Sequence, residues 1–329
     1  MTRPAGPFVL LDDARPGGRM TLFAGLRNLV ETRDPQEVAA CLEQLRGKKA
    51  AGFLAYEAGQ GLEPKLKPLA RTPASDEPPL LWFGTFAEEW TGSAADFLPD
   101  PAGAWAGPAR PLISRAEYDA ALAAVKAHIV AGDIYQANLT FAAEVPVAGH
   151  PLALYAALRQ RARAGHGAIV YTGTHWLLSL SPELFFTLAD GLATTRPMKG
   201  TAPPDADPDE FRADPKQRAE NLMIVDLLRN DLSRVARTGG VKVPALFEVE
   251  TYPTLLQLTS TVTAELEEGK TAIDLLQAIY PAARSPARPR SGRWRLSTRW
   301  KRVRAAPIAA RSAGLRRTAP QRSMSRSGR

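Results

Sequence analysis

The sequence predicts an α+β fold on three observations. Short apolar runs bounded by Gly, Pro and Asp recur along the chain and read as strands, among them residues 8–11, 168–172 and 255–266. Two stretches, residues 114–132 and 215–235, space their apolar side chains at helical intervals. Between them Asp190-Gly191 separates two strand-like runs, the pattern of a tight hairpin. With 329 residues, 45% hydrophobic and 23% charged, the chain has material for one large core or two smaller ones.

Residues 1–111 predict a small α/β module with its connecting segment. Residues 8–11, 52–56 and 80–86 read as strands and 35–45 as a helix, whereas 91–111, rich in Gly, Pro, Ala and Asp, reads as a connection. The apolar run before Asp12 and Asp13 is too short for a secretory core or a membrane span. Cys41 is alone, so no internal disulfide forms and a reducing, cytoplasmic setting is expected, with no membrane partner.

A second module is expected over residues 112–283. Ser114 with Glu117 makes a capping box, and Tyr118, Leu122, Val125 and Ile129 give a core-facing stripe that Gly132 ends. Strands are expected at 168–172, 176–180, 183–188 and 192–196, then a long helix over 215–235, then strands around Val241 and Phe247 and over 255–266.

Three stretches of this module carry side chains suited to chemistry. GDIYQANLTF (132–141) sets Gln136 and Asn138 two apart, on one face of a strand. SPELFF and RPMKGT put Glu183 and Lys199 on opposite arms of the predicted hairpin, where a cross-strand ion pair of small consequence is the plainer reading. AENLMIVDLLRND gathers Glu220, Asp226, Arg229, Asn230 and Asp231 around apolar residues, as a solvated helix face also does.

The order and spacing of these motifs, followed by a KVP strand, resemble component I of aminodeoxychorismate synthase, within the chorismate-utilising enzymes. The resemblance spans roughly residues 8–281 and is specific from Ser114 onward. It implies β-sheets packed as a sandwich with surrounding helices, incomplete in this chain. It also implies conversion of chorismate to 4-amino-4-deoxychorismate, toward 4-aminobenzoate and folate. Ammonia would come from a separate glutamine amidotransferase subunit, component II, and the cofactor would be magnesium (Mg2+).

By the same resemblance Lys199 of PMKGT is the amine that adds to the chorismate ring, and Glu183 of SPE is the acid that protonates the departing hydroxyl. Hydroxide leaves poorly unless protonated, and an amine attacks only when neutral, so burial beside a cation would serve the lysine. Gly200, Thr201 and Gln257 would line the substrate, and Glu220 would be a magnesium ligand, a hard oxygen donor for a hard cation. Anthranilate synthases, similar throughout, usually carry alanine at the position of Lys199, which favours amination at the 4-position over an anthranilate or isochorismate synthase. Two positions depart from the pattern: Gln217 stands where relatives often have an acid, and Gln257 where some have histidine.

The last acidic residue is Asp274, and residues 284–329 hold fourteen Arg, one Lys and no acid. Subtracting that +15 from the chain's +8 leaves −7 for residues 1–283. A basic arm of this kind suggests a nucleic-acid partner, but its arginine bias with Pro, Ser, Ala and Gly is also what GC-rich DNA gives in a wrong frame. Codons read one base earlier permit VTGAPKVRAMEIIDALE across 284–301. Trp300 has a single codon, so the step into Lys301 is forced to glutamate. The same shift permits CGALGW and VAIRT further on, the continuation that the resemblance implies. The expectation is therefore a base lost near Ala282 or Ala283, a tail (284–329) that is out-of-frame translation and not natively folded, no specific nucleic-acid partner, and a truncated chain without synthase activity.

Overall fold

The structure, a computed structural model, describes residues 4–134, 137 and 139–281. The chain runs β1 (Phe8–Asp12), β2 (Met20–Thr32), α1 (Val38–Gln44), β3 (Ala51–Leu54), α2 (Gly59–Leu62), β4 (Leu81–Gly92), β5 (Ala104–Ala106), β6 (Arg110–Pro111) and α3 (Arg115–Val130). It continues through β7 (Ala143–Glu144), β8 (Val147–Gly149), α4 (Pro151–Ala162), β9 (His166–Tyr171), β10 (Trp176–Ser181), β11 (Leu184–Ala189), β12 (Leu192–Arg196) and β13 (Met198–Ala202). It closes with α5 (Pro208–Ala213), α6 (Pro215–Leu232), β14 (Ala236–Tyr252), β15 (Leu255–Leu266) and α7 (Ala272–Ile279).

Two antiparallel sheets dominate. The first has the order β10-β9-β1-β2-β4-β3. β1 is apolar at four successive positions and is buried on both faces, Phe8 and Leu10 turning to one cluster and Val9 and Leu11 to another. β9 pairs with β1 from Phe8↔Tyr171 to Asp12↔Gly167, so strands from both sides of residue 111 share this sheet. Asp12 ends β1 almost fully buried, where its carboxylate accepts from Arg159 Nε at 2.8 Å and Tyr155 Oη at 2.9 Å, both on α4. A buried charge persists only with such partners.

The second sheet has the order β11-β12-β15-β13, with β14 on the other side of β15. Asp190 (φ 49) and Gly191 (φ 77) close the β11–β12 hairpin, the left-handed pair that a two-residue turn needs. The strands expected around Val241 and Phe247 are one strand, β14, kinked by three register shifts. The largest core joins the sheets: Leu54, Leu81 and Phe83 of the first and Phe186, Val262 and Ala264 of the second meet Val38 and Leu42 of α1, Val225 and Leu232 of α6 and Leu275 and Ile279 of α7.

Ser114 and Glu117 form the expected reciprocal cap of α3. The expected stripe is corrected: Ala121 and Val125 are the buried residues of α3, while Ile129 is 40% exposed. The face turns toward the core at its middle only. Among the described residues no helix is long and apolar enough to cross a membrane. The tail 284–329, and Gln136 and Asn138, lie outside the described residues.

Candidate active site

β10 ends at Ser181 and β11 begins at Leu184, leaving Glu183 in a short turn after Pro182. The Ser181 hydroxyl fixes that turn, accepting from Glu183 N at 3.2 Å and donating to Glu183 O at 3.2 Å. The Glu183 carboxylate then accepts from Met198 N at 3.3 Å, at the start of β13. Glu183 is open to solvent by area, yet the protein around its carboxyl desolvates it enough to push its pKa above the ordinary range. The Met198 N–H and the charge of Lys199 pull the other way.

Lys199 therefore lies in the electrostatic reach of Glu183, as the sequence predicted, but one strand further along than expected. Leu184 pairs with Arg196 at the end of β12, and Lys199 follows Pro197 in β13. Lys199 is half-buried and Gly200 is buried.

Gly200 has φ +100, and a Cβ there would stand 2.9 Å from Gln217 Oε1 and 3.2 Å from Leu258 Cβ. The backbone conformation demands glycine, while the Gln217 side chain of α6 would have to swing aside for a Cβ. Gln257 Nε2 donates to Gly200 O at 2.8 Å, and Thr201 Oγ1 donates to Gln257 Oε1 at 3.4 Å across the Thr201↔Gln257 register pair. Gly200, Thr201 and Gln257 are thus brought together.

α6 supplies the remaining wall. Asp214 caps it by accepting from Gln217 N at 2.9 Å, and Pro215 occupies its first turn. Glu220 is half-buried on this helix. Among the described residues no group of three or more His, Cys, Asp or Glu is gathered, around Glu220 or elsewhere. Magnesium is commonly held by one or two carboxylates with water and ligand oxygens making up the rest, so Glu220 fits as one ligand, not as a complete site.

Sequence reasoning missed Asn221 and Ser260, both fully buried and hydrogen-bonded to each other through Ser260 Oγ and Asn221 Oδ1 at 2.6 Å. The signal was present. Asn221 lies at helical spacing with Val225, Leu228 and Leu232, a polar residue on a buried apolar stripe.

The sequence matches the family described as chorismate binding enzyme over residues 14–287. It is 41% identical over 185 residues to aminodeoxychorismate synthase component 1 of Klebsiella aerogenes, a match covering 54% of this chain and 41% of that protein. It is 35% identical over 186 residues to anthranilate synthase component 1 of Streptomyces coelicolor, covering 54% of this chain and 36% of that one. The chain thus matches less than half the length of these curated relatives. Its fold is similar to the crystal structure of anthranilate synthase component I from Streptococcus pneumoniae, with TM-score 0.65 and 20% identity, covering 95% of this chain and 82% of that one.

Proposed function

The chain belongs to the chorismate binding enzyme family, and on that premise we propose that its site is built for amination of chorismate at the 4-position, as in aminodeoxychorismate synthase component 1. The observation that carries this reading is the joining of Glu183 and Lys199 around Met198, an acid with a raised pKa beside an amine.

A carboxyl that holds its proton more tightly than usual is suited to give it to a leaving hydroxyl. In the proposed reaction the Lys199 amine forms a C–N bond to the ring, the C4–O bond breaks, and the Glu183 proton leaves with the hydroxyl as water. Ammonia then forms its own C–N bond and expels the lysine, which is regenerated. Gly200 lets the backbone pass close to α6 and the ligand side, and Gln257 and Thr201 hold that backbone in place. Magnesium, when bound, would neutralise the substrate carboxylate, with Glu220 among its ligands. Ammonia would be supplied by a glutamine amidotransferase subunit.

We further propose that the reading frame slips near Ala282 or Ala283. The shifted frame's TGAPK, CGALGW and VAIRT support this, as does the family match ending at residue 287. The test compares the 329-residue chain with a product in which the missing base is restored, each given chorismate, ammonium and magnesium. The restored protein is expected to form 4-amino-4-deoxychorismate and the shorter chain none. Anthranilate or isochorismate as the product, or equal rates from the two chains, would overturn the reading.

A further inference from the structure

The ladder between β13 and β15 breaks at Lys199. Met198 pairs with Thr259 and Thr201 with Gln257, and the register shifts between them, so Lys199 and Gly200 form a bulge. A bulge takes backbone groups out of the ladder, and buried carbonyls need other donors. Two side-chain amides supply them. Gln257 Nε2 serves Gly200 O at 2.8 Å, and Asn221 Nδ2 serves Lys199 O at 3.2 Å and Leu258 O at 3.1 Å.

The Asn221 amide is itself oriented. Phe247, held at φ 59 in β14, donates its N–H to Ser260 Oγ at 3.1 Å, so the Ser260 proton is free to go to Asn221 Oδ1 at 2.6 Å. That bond turns Nδ2 toward the two carbonyls and commits both its protons, one to each strand. Arg218, on the same helix as Asn221, stacks over the Phe247 ring at 4.7 Å from its centroid and holds the other end of the relay.

We propose that Asn221 is a positioning residue for the Lys199 amine. Its amide fixes the peptide from which that side chain emerges, and the Phe247–Ser260 relay keeps the amide facing it. The role in amination rests on the function proposed above. The clamp does not: without it the 199–200 peptide is free to rotate and the amine changes both direction and surroundings.

The test uses the full chain and no chorismate. Lysine amines are acetylated competitively with isotopically paired acetic anhydride across the alkaline range, and Lys199 labelling is read by mass spectrometry against exposed Lys126 and Lys270. Asn221→Leu keeps the volume, adds no charge and removes the donor, so the Lys199-to-reference ratio is expected to change by about fivefold, the scale of one lost hydrogen bond. Ser260→Ala is expected to shift the ratio the same way but less. A purely structural role moves every lysine together with the melting curve. A flat ratio in folded Asn221→Leu overturns the proposal, and if that variant does not fold, a flat ratio in Ser260→Ala does so. A failed chorismate reading gives a different result, in which the ratio shifts while no amination product forms.

Discussion

The two sheets are built on different terms. The first is packed mainly by apolar side chains on ladders broken by a single register shift, in β2–β4 beside left-handed Gly25: Phe53 and Trp82 stack with ring centroids 6.4 Å apart, and β1 is buried along its whole length. The second carries bulges in β13 and β14, left-handed backbone at Gly200 and Phe247, and side-chain amides where ladder bonds would be. A scaffold gains from regular packing. Irregular backbone persists only where surrounding groups over-determine it.

This contrast predicts how substitutions rank. Trp82→Ala, deep in the first sheet, should cost about 4 kcal/mol in denaturant unfolding. Asp12→Ala should cost about 3 kcal/mol by stranding Arg159 and the Tyr155 hydroxyl, the low end for a broken buried pair because Arg159 keeps some solvent contact. Gly200→Ala should cost about 2 kcal/mol, the scale of one residue forced into strained backbone. If Gly200→Ala proved costlier than Trp82→Ala, the division of labour between the sheets would be wrong.

Charged groups give smaller effects with opposite signs. Arg46 and Thr271 hold the Asp274 carboxyl well below the usual range, joining α7 to the α1 end of the core. Its folded pKa is depressed, so its stabilisation is present above about pH 3.9, the ordinary Asp value, and is lost as pH falls through the folded value. Asp274→Asn should therefore cost about 1 kcal/mol at neutral pH, with the gap to wild type closing in strong acid. Glu183 behaves the other way. Its folded pKa is raised, so its contribution is complete below about pH 4.3, the ordinary Glu value, and is lost as pH rises through the folded value. Glu183→Gln should then melt slightly higher than wild type at neutral pH and equally in acid, while losing any acid function. A lower melt at neutral pH would show that the ionised carboxylate is welcome there.

Much of this was legible in the residues. Asp190-Gly191 located its hairpin, residues 255–266 their strand, and Ser114 with Glu117 the start of α3, because caps and tight turns are local physics. β2, thirteen residues long, was missed because its outer half is exposed and polar, so period-two alternation fades. α7 was missed although Thr271 and Asp274 form a capping box that marks its start. That Glu183 and Lys199 approach each other was legible from the hairpin pattern between their motifs. Asn221 was not, since its importance arises from a bulge in β13, the strand α6 packs against, and from a relay through Phe247, neither of which sequence spacing displays.

The most direct test of the account is covalent. The frame-restored protein is incubated with chorismate and magnesium in the absence of ammonia or amidotransferase, and the peptide containing Lys199 is weighed. The account predicts an adduct on Lys199 equal in mass to chorismate less one water, discharged when ammonium is added. Amination product on adding ammonium, with the Lys199 peptide never modified and Lys199→Ala equally active, would contradict it.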